Sequence, residues 1–335
     1  MKRAVFILLI SLPLALFFAV REMASWRPHK VADLPYHSAL AVYHGLAISL
    51  DERFVANASS DEQGLITVRD LQSGREVKRL ALRRRVSCLV FSLDGRQIAI
   101  AWSKSTAHYM ANETKRIGVS LWDFKGQFRH FEMVKDDLVF DSPTQLRFSP
   151  DGKTLWMAST DNLRAWAVAS GKLKWRWRKE EMGRDSSLPF YSAISKNCRL
   201  YFHSGSSGYT VWDMKANKQK LVTELPFLND SDLHFSFDTS LATYHAETPN
   251  GVFNPVVKAD TGQLLWQSPG EPELTIVSDK AVRRKGNTFE VRNARNGKLL
   301  STLPAALRSS PLPLESRLWL YTINDKRELF RQRLQ

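Results

Sequence analysis

The residues able to do chemistry are scattered along the chain rather than gathered. His29, His37, His44, His108, His130, His203, His234 and His245 include no pair three or four apart on a helical stretch. The paired-histidine spacing of a zinc hydrolase is therefore missing. His234 and His245 are close enough in sequence to meet within one folded unit, and both read as hydrogen-bonded strand residues. Cys88 lies among Val86, Leu89 and Val90 and reads as a small buried hydrophobe. Cys88 and Cys198 are the only cysteines, which excludes a disulfide framework and a four-cysteine zinc site. Gly205-Ser206-Ser207-Gly208 has the small residues of a phosphate loop but not its following Lys or helix start, and reads as a turn between strands. Asp136, Asp137 and Asp141, like Asp230 and Asp232, bring carboxylates together without the alternating ligands and final Glu of a calcium loop. They read as solvated loop acids. Trp122, Trp166 and Trp212 recur at one strand position, and Trp175 and Trp266 at another, as packing of one repeated unit on the next requires. A cage for a cationic ligand is the less favoured use of these rings. No catalytic, cofactor-binding or metal-ligating set emerges, so the expectation is a protein that is not an enzyme and needs no cofactor.

The elements that must position these side chains are short strands. Beyond residue 37, apolar runs alternate with turns of Asp, Gly, Asn and Ser, and no segment keeps a helical period for three turns. One recurring unit is a strand, a tight turn and a strand, as in Cys88–Ala101 and Gln145–Ser159, with Asp-Gly at the turn. Weaker copies cover Gly45–Ser59, Tyr191–Ser204, Leu233–Ala246 and Leu274–Arg284. The other unit is a strand, a turn ending in Gly or an equivalent, and a strand. It covers Ile66–Leu80, Val119–Phe131, Leu163–Trp177, Tyr209–Val222, Asn254–Ser268 and Phe289–Leu303.

The turn residues Asp51, Asp94, Asp151, Asn197, Asp238 and Asp279 are 43, 57, 46, 41 and 41 residues apart. Four strands at that period is the spacing of a β-propeller blade, and an insertion over Ser103–Lys115 accounts for the long step. Six repeats are complete. Ser316–Asn324 and Arg327–Leu334 supply part of a seventh, whose missing strand is expected from residues 30–43 before the first repeat, closing the ring. The expected fold is all-β, a seven-bladed β-propeller of four-stranded antiparallel blades over residues 37–335, with six or eight blades as alternatives. The length, 335 residues, permits two domains or one large ring, and the period decides for one.

The repeats resemble those of WD-repeat propellers. The marks are Leu121-Trp122-Asp123, Val211-Trp212-Asp213 and the Ser-Pro-Asp-Gly turn at Ser149–Gly152. They also resemble the pyrroloquinoline-quinone-type repeat, whose Asp-x-x-x-Gly-x-x-x-Trp pattern is approached by Ala259–Trp266 and Ala169–Trp175. The Gly-His dipeptide that opens many WD repeats is absent, which marks a divergent member. The quinoprotein resemblance implies a quinone stacked on Trp beside adjacent cysteines with a bound calcium ion. Cys88 and Cys198 are not adjacent, which counts against that dehydrogenase. A degenerate quinoprotein-type dehydrogenase, or another enzyme with a site in the central channel, is the alternative reading.

Residues 4–20 hold no charge and follow Lys2 and Arg3. Residues 1–22 read as a membrane anchor or, alternatively, a cleaved signal peptide, and residues 23–36 as a linker. A buried helix is a third reading. The basic start favours a cytoplasmic N-terminus, which places the propeller on the outer, extracytoplasmic side, or secreted if the signal is cleaved. The formal charge is +14, and its densest runs fall in loops assigned to one face of the ring. Arg83, Arg84, Arg85, His108, Arg176, Arg178, Lys179, Arg184, Arg283, Arg284 and Lys285 are the candidate partner-binding residues there. The expected function is a monomeric docking scaffold for a protein or an anionic envelope component, with nucleic acid the disfavoured partner.

Overall fold

Hydrogen-bonded ladders group the strands into seven antiparallel sheets, the blades of a β-propeller. The computed structural model describes residues 29–33, 45–59, 61, 63–104, 116–131, 143–159, 162–178, 192–205, 208–224, 234–236, 240–244, 246–248, 251–269, 274–277, 279–305, 309–311, 319–324 and 328–334. Blade 1 has strands Leu46–Ile48, Phe54–Ala58, Leu65–Asp70 and Glu76–Ala81; blade 2 has Arg85–Phe91, Gln97–Lys104, Arg116–Asp123 and Phe128–His130. Blade 3 holds Pro143–Phe148, Thr154–Ser159, Asn162–Ala167 and Leu173–Arg178; blade 4 holds Ser192–Ile194, Leu200–Gly205, Gly208–Asp213 and Lys218–Glu224. Blade 5 starts with His234–Phe235 and ends with Gly251–Lys258 and Leu264–Pro269. Its second strand is interrupted, as Leu241–Thr243 and Ala246–Thr248 both pair with Gly251–Lys258. Blade 6 comprises Thr275–Val277, Lys280–Lys285, Thr288–Asn293 and Leu299–Pro304.

Blade 7 closes the ring. Ser309–Pro311, Trp319–Asn324 and Glu328–Arg333 come from the C-terminal region, and His29–Asp33 adds the outer strand, with His29 opposite Arg331 and Asp33 opposite Glu328. The closing strand overlaps the start of the expected 30–43 stretch and lies inside the expected 23–36 linker, so the ring begins before residue 37. The expected insertion over Ser103–Lys115 falls largely outside the described residues, as does the expected anchor over residues 1–22.

Two side-chain clamps set the turns. At the end of the first strand, the Ser49, Ser92, Ser149 and Ser195 hydroxyls donate to Asp51, Asp94, Asp151 and Asn197 at 2.5–2.7 Å. Each serine oxygen also accepts the N–H of the residue five later, Phe54, Gln97, Thr154 or Leu200, at 2.8–3.0 Å. The serine hydroxyl is the main cause holding the Asp94 and Asp151 carboxyls below the usual range. At the end of the third strand, Asp70, Asp123, Asp213 and Asn293 each accept two backbone N–H groups of the following turn at 2.8–3.2 Å. The Asp of each Trp-Asp pair is therefore a turn clamp.

The core is seven apolar clusters, one at each blade interface. Successive strand residues point to opposite faces. Ile98 and Ile100 accordingly pack toward blade 1, while Ala99 and Ala101 pack toward blade 3. Both faces are covered, so the run Ile98–Trp102 is apolar without interruption. Val31 from the closing strand joins Tyr321 and Leu329 of blade 7 against Leu46, Val55 and Leu71 of blade 1.

Candidate interaction faces

Antiparallel order gives the ring two different ends. Blade-to-blade connections and the turns between second and third strands lie at one end, the loop face. Turns between first and second and between third and fourth strands lie at the other, the turn face.

On the loop face, Leu82–Arg84 connects blade 1 to blade 2 and is pinned. Leu82 N–H donates to Gly64 O at 3.2 Å and Arg83 N–H to Gln63 O at 2.8 Å. Gly64 has φ +53, and a Cβ there would stand 1.9 Å from Arg84 O, so only glycine fits. Arg83 itself has φ +54, an uncommon conformation for a side-chain-bearing residue. The Arg84 guanidinium lies 3.8 Å from the centre of the Trp102 ring and caps it. Trp102 is wholly buried, over Gly118, and donates from Nε1 to Ser120 Oγ at 2.8 Å. Ser120 Oγ lies 2.9 Å from His130 Nδ1. The serine oxygen accepts the indole proton and can either donate its own proton to an unprotonated Nδ1 or accept one from a protonated Nδ1. Desolvation, then the Arg84 charge, lower the His130 pKa and favour its neutral form. Arg83 and Arg85 are exposed, and none of Arg83, Arg84 and Arg85 pairs with a carboxylate among the described residues.

Arg283 and Lys285 are used differently. Arg283, Lys285 and Arg292 all reach Glu290, at 3.0, 3.1 and 3.0 Å, and Arg283 also donates to Ser268 Oγ at 2.5 Å and Pro269 O at 3.1 Å. Only 8% of the Glu290 side chain is exposed. Burial opposes its ionisation, but the bonds from Arg292, Lys285 and Arg283 prevail and hold its pKa at about 2. Arg284 Nε donates to Gly286 O at 2.9 Å. Arg283 is thus a structural residue, and Lys285 keeps one carboxylate partner.

The described candidate residues lie in separate blades and do not form one patch. Arg83–Arg85 lie between blades 1 and 2, Arg176 and Arg178 on the outer strand of blade 3, and Arg283–Lys285 in blade 6. Arg176 stands opposite the buried Arg164 in the strand register. His108, Lys179 and Arg184 lie outside the described residues. The connecting stretches 132–142, 179–191, 225–233 and 270–273 also lie outside them, and by sequence they hold eleven Asp and Glu against three Lys and Arg.

Trp122 and Trp166 are core residues, and Trp212 is half-buried against the blade 3 and 4 cluster. Trp175 is not a core residue: it is 50% exposed, 5.4 Å from Trp156 and 6.1 Å from Trp177, whose Nε1 donates to Asn217 Oδ1 at 2.9 Å. The strand it occupies is the outermost of its blade, so one side of the ring faces solvent.

Sequence reasoning passed over the turn face. Arg53, Arg96, Lys153 and Arg199 occupy the same position in blades 1–4, and all are exposed. The available signal was a Lys or Arg two residues after Asp51, Asp94, Asp151 and Asn197. Cys88 is buried, its thiol pKa raised by desolvation, and it is not disulfide-bonded to Cys198. Among the described residues no group of three or more His, Cys, Asp and Glu is placed to hold a metal ion, and no helix is long and apolar enough to cross a membrane. Compared with family models and with curated proteins, the sequence matches none.

Proposed function

We propose that this β-propeller is a membrane-tethered docking scaffold without enzymatic activity, its ring on the extracytoplasmic side, that receives an acidic protein segment on its loop face. The pinned arginine turn carries the reading. Three consecutive arginines sit on backbone fixed by hydrogen bonds to Gln63 and Gly64, with no described carboxylate to neutralise them. Preorganised charge raises association rate and selectivity more than raw affinity, so the contact should weaken steeply with salt. The apolar stretch 4–20 after Lys2 and Arg3 supports the tether and its orientation. The WD-type resemblance of the turns fits a scaffold of this kind.

The test is photo-crosslinking from position 83 in intact envelopes, with and without Arg83→Gln and Arg85→Gln. Arg84 is kept because it covers Trp102, and Arg283 and Lys285 because they hold Glu290. A crosslinked partner that disappears in the double variant is the expected result. Equal capture by both proteins would refute the role of the arginine turn.

A further inference from the structure

The turn face carries two rows of cations laid out by the repeat itself. In blades 1–4 the inner row is Arg53, Arg96, Lys153 and Arg199, each exposed. The N–H of each is accepted by the turn residue two before it, Asp51, Asp94, Asp151 or Asn197, at 3.0–3.2 Å. The turn residue is thereby bent back onto its own backbone. Arg53 and Arg199 also lie 3.7 and 3.6 Å from Asp70 and Asp213, yet their side chains stay 67% and 65% exposed. Neighbouring turns adjoin: a Cβ on Gly95 would lie 3.8 Å from Asp51 Oδ1, and one on Gly152 would lie 4.0 Å from Leu93 Cδ1. The row is therefore continuous from blade 1 to blade 3.

The outer row follows the turns between third and fourth strands. Arg75, Lys172, Lys218 and Lys298 come directly after Gly74, Gly171, Asn217 and Gly297, all with positive φ, and are exposed. Here too the clamp residue, Asp70, Asp213 or Asn293, is committed to backbone N–H groups. Two large apolar side chains stand among these cations, Leu50 at 48% and Leu93 at 43% exposure. The result is a broad face of cations with aliphatic tips.

The chain also arrives at this face. The strand Glu328–Arg333 runs from the loop face to the turn face, and His29–Asp33 pairs with it antiparallel, with His29 opposite Arg331. The strand His29–Asp33 therefore begins, at His29, toward the turn face. Eight residues, 21–28, separate the apolar stretch 4–20 from this strand, a reach of at most about 29 Å when fully extended.

From these observations we infer that the turn face lies on an anionic phospholipid bilayer, its two rows of Lys and Arg among the headgroups and Leu50 and Leu93 at the interface. The short connection to residues 4–20 rests on the tether reading above; the cation rows do not. Breadth, distribution over several blades and exposed leucines fit a planar lipid surface, and each Lys or Arg near such a surface raises binding about fivefold. The loop face then points away from the membrane, toward the partner.

The test uses the full chain reconstituted with phosphatidylcholine vesicles, with and without phosphatidylglycerol, and amine acylation read by mass spectrometry. Lys153, Lys172 and Lys215 should be protected at least about tenfold by phosphatidylglycerol, and Lys285 on the loop face unchanged. Salt at about 1 M, where the screening length is about 3 Å, should remove the protection. The variant Arg53→Gln, Arg96→Gln, Lys153→Gln, Arg199→Gln should lose protection at Lys172 and Lys215 while melting as the parent does. Equal reactivity in both vesicles, or protection of Lys285 instead, overturns the inference. So does equal protection by a soluble acidic protein or by DNA. Flotation with pure phosphatidylcholine reports the tether separately: a chain that fails to float yet is protected by phosphatidylglycerol leaves the inference standing and refutes the tether.

Discussion

The two faces of the ring handle positive charge in opposite ways. On the loop face, charge is concentrated in a few non-repeating segments and much of it is committed: Arg84 caps Trp102, and Arg283 with Lys285 and Arg292 surrounds Glu290. On the turn face, charge is spread by the repeat over blades 1–4, and the turn acids bond their own backbone, while Arg53 and Arg199 stay exposed beside Asp70 and Asp213. A run of arginines in the sequence is therefore a poor guide to available charge. A single Lys or Arg after a turn is a better one, because its side chain stays exposed even where, as at Arg53 and Arg199, a clamp carboxylate lies within 4 Å.

The comparison can be broken most sharply at Glu290. Glu290→Gln should lower stability by about 3 kcal/mol in urea unfolding, since it leaves Arg283 and Arg292 part-buried around a neutral group. A carboxyl held at about 2 instead of its ordinary 4.5 is stabilising when ionised. That stability is complete above about 4.5 and is lost as pH falls toward 2, and the variant should lack this acid-sensitive component. A change below about 0.5 kcal/mol would return Arg283 and Lys285 to the available surface.

Gly64→Ala should cost about 2 kcal/mol, because it combines an unfavourable left-handed residue with a collision against Arg84 O. It should also loosen the arginine turn, so hydrogen exchange at Arg83 N–H should accelerate before global unfolding does. On the turn face, Asp94→Ala should cost about 1 kcal/mol through the loss of the Ser92 and Arg96 bonds, whereas Asp94→Asn should be milder, as Asn197 makes the same bonds in blade 4.

His130 offers a pH test of the loop face. Its pKa is depressed by burial and Arg84, so its neutral form is stabilised in the folded ring. That contribution is present above the ordinary histidine value of 6.5 and is lost as pH falls below it, and His130→Gln should flatten the dependence of Tm on pH there. Arg83→Gln with Arg85→Gln is the smallest expected change, within about 0.5 kcal/mol of the parent in stability, because both side chains are exposed. Partner capture should nevertheless fall.

Much of the fold was legible in the chain because the turn chemistry is local. Ser-x-Asp followed by Gly, and Asp or Asn before a Gly turn, encode clamps within five residues, so strand order and blade period followed from spacing. The blades in which the pattern is weakest show where legibility ended. Blade 6 turns in two residues between Val277 and Lys280, and blade 5 breaks its second strand around Tyr244. The half-exposure of Trp175 escaped prediction because its recurrence with Trp266 could not reveal that the strand is the outer edge of its blade.

By itself, the sequence determined a ring of seven four-stranded units, the segment that closes it and the absence of a zinc-hydrolase or calcium-loop spacing, all set by periodicity and short-range hydrogen bonding. Only the tertiary structure decided which cations are spent and which are presented. Arg84 meets Trp102, and Arg283 meets Ser268, across separations of 18 and 15 residues. The turn cations share one end of the ring because antiparallel strands return every turn of one kind to that end. Charge availability is a property of what lies opposite each side chain, and only the packed blades specify that.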